Sequence, residues 1–273
     1  MSSTTEYVLG HSDLEIERLK FQAAALAGIT RRLIRECGIQ PGMRVLDIGC
    51  GAGDVSMLLA EAVGPSGHVV AIDREARAIE TTRSRAETAG YRNIEAVMAT
   101  DDDIPIARAF DAALGRYVLA HQRDPVAMIR RAASAVRAGG VVAFQESAMH
   151  QKRLQALPRV ALFDQVASAM NEAFLATLPS PDVAGRLVAC FAEAGLPSPN
   201  LICECVIGDS TSLLARWVAL TYRSMLPHIR RLGLEPNSVG DPDTMIERLE
   251  AELAAVHAQM VSLPQICGWA VRP

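Results

Sequence analysis

The amino-acid sequence predicts an α/β fold: a doubly wound, mostly parallel seven-stranded sheet with helices on both faces, an N-terminal helix and a helical cap insertion. Between about residues 41 and 147, apolar strand-like runs alternate with helical stretches. This alternation is typical of a parallel sheet that is buried on both faces. Two further strand-like runs lie in a mostly helical C-terminal region. Ligands of such sheets bind beyond the carboxyl ends of the strands, near the point where the strand order reverses.

The first predicted element is a helix that begins near Ser12 and ends at Gly38. Ser12 and Glu15 form a Ser-x-x-Glu capping box, in which each side chain can bond an unpaired backbone N–H group of the first turn. Gly38 supplies the left-handed residue with which many helices end. Between these ends, apolar residues recur at helical spacing, at Leu19, Leu26, Ile29 and Leu33.

Five strands and three helices are predicted in the alternating region. Gly90 and Gly139 end two of the helices directly before the next strand. The predicted strands are Arg44–Ile48, His68–Ile72, Ile94–Ala99, Asp111–Gly115 and Gly140–Phe144. The predicted helices are Asp54–Val63, Glu75–Ala89 and Pro125–Arg137.

The C-terminal region is predicted to contain four helices and two strands. Ser180 and Pro181 give the second helix an N-cap followed by a proline at its first position. The first two helices are predicted over Lys152–Thr177 and Asp182–Ala194, and the strands over Leu201–Ile207 and Gln265–Val271. The other two helices are indicated by apolar faces, one with Leu214, Trp217 and Met225, the other with Ile246, Leu249, Leu253, Val256 and Met260.

The composition is that of a soluble globular protein and excludes several classes of function. The chain has 273 residues and a net charge of −4, and without a basic run it is a poor candidate for binding nucleic acid. Its six cysteines form no CxxC pair and no Cys/His metal spacing. No signal-peptide core is present in residues 1–11, and no apolar run approaches the roughly 20 residues of a membrane span. We therefore expect a cytoplasmic protein with free thiols and with no metal, nucleic-acid or membrane partner.

The most informative motif is a buried strand that continues into a glycine-rich turn and a helix. It reads Val45-Leu46-Asp47-Ile48-Gly49-Cys50-Gly51-Ala52-Gly53-Asp54. Glycines permit tight backbone angles and let a ligand approach the main chain closely. Asp73 ends the next strand, where a carboxylate can accept hydrogen bonds from both hydroxyls of a ribose. These features predict a nucleoside ligand, and a ligand-free structural turn is the alternative.

Two details favour S-adenosylmethionine (SAM) over a nicotinamide or flavin cofactor. The dinucleotide motif G-x-G-x-x-G would place its third glycine at position 54, which is Asp54, and an aspartate at this helix N-terminus would repel a pyrophosphate. Asp47 precedes the first glycine by two residues and suits a ligand with an ammonium group. SAM has an ammonium group, a ribose and an adenine, but no phosphate.

The chain resembles the class I SAM-dependent methyltransferases, and within them the small-molecule type of ubiquinone and menaquinone biosynthesis. The resemblance extends from about Met43 to Glu146. It implies a Rossmann-like fold, SAM as the cofactor, and a last strand inserted antiparallel in the sheet. The residues that carry it are Asp47-x-Gly49-x-Gly51-x-Gly53 with Asp73.

This resemblance also implies roles for the residues around the methionine part of SAM. Gly49, Gly51 and Gly53 would frame the methionine part, and Asp47 would lie near its ammonium group. Arg116 ends the fourth strand and would lie beside the cofactor through its backbone carbonyl.

The nucleoside part of SAM would be held by residues that follow the second and third strands. Asp73 would bind the ribose, and Arg74 would flank the adenine. The acidic residue that in the family contacts the adenine amino group falls within Asp101-Asp102-Asp103. Any of these three aspartates could have this role. Asp101 is favoured, with Asp102 beside it.

Three residues that follow the fourth and fifth strands are candidates for a catalytic general base. They are His121, Glu146 and His150. A histidine at this place could equally orient the loop. Because the sulfonium of SAM brings its own leaving group, a base is needed only if the acceptor must lose a proton.

The sequence predicts one methyltransferase domain over residues 1–273. Its predicted parts are an N-terminal helical lid (1–40), a SAM-binding core (41–207 and 264–273) and a helical cap insertion (208–263). The predicted function is methyl transfer from SAM to an oxygen, carbon or nitrogen of a small hydrophobic acceptor, with a homodimer as an open alternative to a monomer. Two other functions stay open: a SAM-binding enzyme of this fold that catalyses a non-methylating reaction, and a non-catalytic SAM-binding module.

Overall fold

A computed structural model of the protein describes residues 13–100, 104, 109–151, 154–236 and 239–273. Its α-helices are α1 (Asp13–Glu36), α2 (Asp54–Val63), α3 (Ala76–Thr88), α4 (Pro125–Ala135), α5 (Ala161–Thr177), α6 (Leu187–Glu193), α7 (Leu213–Arg231) and α8 (Met245–Ala255). Its strands are β1 (Arg44–Ile48), β2 (His68–Asp73), β3 (Ile94–Met98), β4 (Phe110–Arg116), β5 (Val136–Ser147), β6 (Gln155–Leu157), β7 (Asn200–Glu204), β8 (Ile207–Gly208), β9 (Gln259–Val261) and β10 (Gln265–Val271).

Seven strands form the main sheet, in the order β3-β2-β1-β4-β5-β10-β7. The strands from β3 to β5 pair in parallel, whereas β10 pairs antiparallel with both β5 and β7. The predicted α/β class, the mostly parallel seven-stranded sheet and the antiparallel insertion of the last strand are confirmed. The strand order reverses between β1 and β4, so the carboxyl ends of these two strands lie at the switch point where such sheets bind ligands.

The strand sequences explain why the sheet is buried. Four of the five residues of β1 and four of the six residues of β2 are buried, as continuous apolar runs in a sheet covered by helices should be. On β5, Phe144 packs edge-to-face against Phe191 of α6, with ring centroids 6.4 Å apart. Such aromatic pairs add to the stabilisation that burial of their apolar area provides.

The described residues divide into two compact units. One, called the sheet unit, comprises Ala27–Ser147, Asp182–Glu204 and Gln265–Pro273 and contains the main sheet. The other, called the helical unit, comprises the described residues of Met1–Leu26, Ala148–Pro181 and Cys205–Pro264. The organisation into one domain with a lid (1–40) and a cap (208–263) stays a prediction.

The helical unit contains a second sheet that the sequence did not predict. Its order is β6-β9-β8, and all its pairs are antiparallel. These strands are two or three residues long, too short to show a period in the sequence.

In the same unit α5 packs against α7, with Phe163 and Tyr222 fully buried. Among the described helices, none is both long and apolar enough to cross a membrane.

Several predicted bounds in the C-terminal region were wrong. The helix predicted from Lys152 begins at Ala161, because Leu157 precedes Pro158 and a residue before proline disfavours helical angles. The strand predicted over Leu201–Ile207 is divided, since its ends pair in different sheets.

Two other predictions, one near each end of the chain, need correction or fall outside the described residues. Met260 was predicted on the face of the last helix but lies in β9. His257 adopts a positive φ of 51° before β9 and redirects the chain after α8 ends at Ala255. The predicted capping box of Ser12 and Glu15 lies outside the described side chains.

Candidate active site

The glycine turn joins β1 to α2 at the carboxyl edge of the sheet. Gly49, Gly51 and Gly53 have φ values of 66°, 54° and 82°. These left-handed angles are strained for residues with a Cβ atom, which explains the alternation of glycines. A Cβ added to Gly49 or Gly53 would lie within 3 Å of a described side chain, whereas one added to Gly51 would meet no described atom within 4 Å. The turn is therefore open at its middle glycine.

Asp73 lies at the end of β2 and is joined to the glycine turn. Its Oδ2 accepts a hydrogen bond from the backbone N–H of Gly51 at 2.9 Å, and its Oδ1 accepts one from the N–H of Glu75 at 3.0 Å. A carboxylate has about four lone-pair sites, so two stay available. The prediction that Asp73 could accept from two ribose hydroxyls is compatible with this geometry.

Asp47 is buried and is held by the first turn of α2. Only 1% of its surface is exposed, and Ser56 Oγ donates to its Oδ2 at 2.5 Å. Burial raises the pKa of Asp47 to about 7, against the opposing effects of the Ser56 hydrogen bond and the positive charge of Arg116. The predicted contact of Asp47 with an ammonium group stays a prediction, and the structure adds Ser56 as the partner of its carboxyl group.

The raised pKa of Asp47 predicts a pH-dependent stability. Between about pH 4 and pH 7, folded Asp47 holds a proton that the unfolded chain releases. The free energy of unfolding therefore falls as the pH rises through this window, by at most about 1.4 kcal/mol per pH unit from this group. We expect Asp47→Asn to reduce this slope by the contribution of Asp47 in urea unfolding at pH 5, 6 and 7. A slope of the same sign should remain from Glu146, whose pKa burial also raises to about 7.

Asp111 provides the control for this experiment. Partial desolvation favours the neutral form of Asp111, but hydrogen bonds from Arg44 and Arg137, together with the charge of Arg137, outweigh it and lower the pKa of Asp111. Asp111 therefore stays ionised in both states between pH 5 and 7, and Asp111→Asn should keep the wild-type slope. If Asp47→Asn also kept that slope, Asp47 would be ionised in the folded protein.

Two side chains of α3 hold the glycine turn from outside. Thr82 Oγ1 donates to the carbonyl of Gly51 at 2.9 Å. Arg85 donates to the carbonyl of Ala52 at 2.5 Å and to Asp54 Oδ1 at 2.7 Å. Neither residue can be predicted from the sequence, because both lie on a mostly polar helix about 30 positions after their partners and carry no local signal.

The turn after β4, residues 117–121, is held by Glu146 of β5. Its buried carboxylate accepts hydrogen bonds from the backbone N–H groups of Val118, Leu119 and Ala120, at 2.9, 2.7 and 3.4 Å. Burial raises the pKa of Glu146 to about 7, although these three amides favour the ionised form. His121 ends the turn and is half-buried.

A polar network crosses from β4 to α1 and β5. Arg116 donates to Thr30 Oγ1 at 3.2 Å, and Thr30 Oγ1 donates to Gln145 Oε1 at 2.8 Å. Gln145 is fully buried. Thr30 and Gln145 were not foreseen, since each meets a partner that is distant in the sequence.

The predicted site residues fall into three groups. The first group lies at the carboxyl ends of β1, β2 and β4 and comprises Asp47, the three glycines, Asp73 and Arg116. Arg74 follows β2, and its side chain is exposed. Asp101 and Asp102 lie outside the described residues. His150 is exposed and belongs to the helical unit, whereas His121 and Glu146 belong to the sheet unit. The described residues contain no group of three His, Cys, Asp or Glu side chains that could hold a metal ion.

Comparisons with known proteins concern the family to which this chain belongs. Residues 39–191 match the model of a family described as a methyltransferase domain. The aklanonic acid methyltransferase DauC of Streptomyces sp. (strain C5) is 40% identical over 116 residues, which cover 42% of this chain and 52% of that protein. The demethylmenaquinone methyltransferase of Listeria welshimeri is 29% identical over 115 residues, covering 42% of this chain and 48% of that protein.

The fold has a counterpart among solved structures. The crystal structure of the YcgJ protein of Bacillus subtilis aligns with a TM-score of 0.60 and 16% identity, over 90% of this chain and 98% of that one. This likeness concerns the fold. The two curated relatives are matched over about half of their own length.

Proposed function

Since this chain belongs to the methyltransferase-domain family, whose model matches more than half of it, we propose that it is an enzyme that transfers a methyl group from SAM to an oxygen, carbon or nitrogen of a small acceptor. The family membership agrees with the resemblance found in the glycine turn. The activity of the whole chain and its acceptor are part of this proposal.

The observation that carries the proposal is the junction of Asp73 with the glycine turn. The 2.9 Å hydrogen bond from the Gly51 N–H to Asp73 holds a carboxylate, the proposed ribose acceptor, beside a turn that is open at Gly51. The N-terminus of α2 carries Asp54, which is paired with Arg85. A ligand with a ribose and no phosphate fits this combination better than a dinucleotide.

The residues present fit SAM. Asp73 would hold the ribose, and the turn from Gly49 to Gly53 would lie along the methionine part. Bound SAM would supply an electrophilic methyl group together with its own leaving group. The task of the chain is then to align the acceptor with the methyl group and to exclude water, and alignment of reacting groups can lower a barrier by roughly 7–11 kcal/mol.

A small, hydrophobic acceptor is the class that we propose. The relative with 40% identity is named for aklanonic acid, and the Listeria relative for demethylmenaquinone. Both names denote small molecules.

Incubation of the full chain with SAM labelled in its methyl group, and with a panel of phenols, quinones and amines, tests the proposal. We expect label in an acceptor and formation of S-adenosylhomocysteine in equal amount. Conversion of an acceptor without label would indicate a non-methylating enzyme. Binding of SAM without any conversion across the panel would favour a binding module, and absence of SAM binding in calorimetry would overturn the proposal.

A further inference from the structure

The turn at residues 117–121 has a backbone that its own sequence does not favour. Tyr117 has a φ of 59°, a left-handed angle that is uncommon for a residue with a large side chain. Such conformations persist where surrounding contacts hold them. Two of these contacts are made by Tyr117: its N–H donates to the carbonyl of Gln145 at 2.9 Å, and its hydroxyl donates to Gln265 Oε1 at 2.6 Å.

Glu146 supplies three further contacts through one carboxyl group. The N–H groups of Val118, Leu119 and Ala120 follow Tyr117 directly and all point to this group. None of the surface of Glu146 is exposed. Because its two carboxyl oxygens accept from three consecutive N–H groups, Glu146 fixes three successive peptide units of the turn, and these bonds strengthen when the carboxyl group ionises.

The turn in its fixed position touches the glycine turn. A Cβ added to Gly49 would lie 2.9 Å from Cγ2 of Val118, and one added to Gly115 would lie 3.1 Å from the same atom. The methyl group of Val118 therefore occupies the space that a side chain would need at either position. A continuous path of contacts leads from Glu146 through the amide of Val118 to the first glycine of the proposed SAM site.

We propose that Glu146 is a positioning residue, whose carboxylate holds the 117–121 turn so that Val118 supports Gly49 and keeps the glycine turn in the shape that binds SAM. This inference rests on the proposed function. It gives Glu146 a role other than the general base considered from the sequence, because its carboxyl group is buried and already accepts three backbone hydrogen bonds.

Binding of SAM and of S-adenosylhomocysteine to the full chain, measured by calorimetry, tests this role. We expect Glu146→Ala to weaken both affinities by about 30-fold, because three buried donors lose their acceptor. Glu146→Gln keeps one oxygen for the amides of Val118 and Leu119 but turns an NH2 group toward Ala120. It should therefore restore part of the affinity, with a loss of about threefold to tenfold.

Two valines complete the experiment. Val118→Ala removes the contact with Gly49 and leaves the backbone amides in place, and it should weaken binding by about threefold to tenfold. Val142 is fully buried in the middle of β5, so Val142→Ala lowers thermal stability without touching the turn and should bind SAM as the wild type does. Glu146→Gln and Val118→Ala keep the test valid if Glu146→Ala fails to fold.

The possible results separate this inference from the proposed function. If the wild type binds neither compound, the proposed function fails. If the wild type binds but Glu146→Gln and Val118→Ala keep the wild-type affinity, only the positioning role fails. An equal loss of affinity in Val142→Ala would also overturn it, since binding would then follow stability alone.

Discussion

Asp73→Ala is expected to lower the affinity for SAM by at least about 100-fold. The variant would lose the proposed hydrogen bonds to the two ribose hydroxyls, and hydrogen bonds to a charged group contribute about 1.5–3 kcal/mol each. With about 1.4 kcal/mol for each factor of ten, two such bonds account for this loss. The variant would also leave the N–H groups of Gly51 and Glu75 without their present acceptor. Calorimetry with SAM and with S-adenosylhomocysteine measures the effect.

Two variants control this experiment. Asp73→Asn keeps one acceptor oxygen but lacks the charge, so its affinity should lie between those of the wild type and Asp73→Ala. His68 begins the same strand, and its exposed side chain contacts Glu95 at 3.1 Å. His68→Ala should therefore leave SAM binding unchanged. Wild-type affinity in Asp73→Ala would show that the ribose does not bind at this carboxylate.

Gly53→Ala is expected to lower the free energy of unfolding by roughly 2–5 kcal/mol. The φ of 82° at Gly53 is unfavourable for alanine, at about 1–2 kcal/mol. The added Cβ would also lie 2.8 Å from Thr82 Cγ2 and 2.9 Å from its Oγ1, and such overpacking costs about 1–3 kcal/mol. Displacement of Thr82 would stretch its hydrogen bond to Gly51. Urea unfolding at pH 7 provides the measurement.

Gly38→Ala separates the cost of the backbone angle from the cost of overpacking against Thr82. Gly38 has a similar φ of 68°, but a Cβ at this position would meet no described atom within 4 Å. Gly38→Ala should lower the free energy of unfolding by about 1–2 kcal/mol, which is the contribution of the backbone angle alone. Equal losses in Gly38→Ala and Gly53→Ala would mean that Thr82 moves aside without effect on stability.

The elements predicted with accurate bounds share one property. β1, α2 and β10 occur within the structure where the sequence placed them, because each is a run of five or more residues with a clear apolar pattern and a glycine or proline near one end. The three strands of the small sheet lack such a pattern, and their pairing depends on residues about 50 to 100 positions apart. Sequence periodicity carries no information about such short, long-range pairs.

The sequence by itself determined the sheet, the glycine turn and Asp73, since contiguous residues carry these features and parallel strands bring their carboxyl ends to one edge. Only the tertiary structure decided which groups hold the site together. The contacts of Thr82 with Gly51 and of Glu146 with Leu119 join residues 31 and 27 positions apart. They form only once the sheet has assembled, because backbone groups left unpaired by the turns must find an acceptor or donor inside the fold. For this reason we interpret Glu146, which the sequence offered as a base, as a support of the proposed cofactor site.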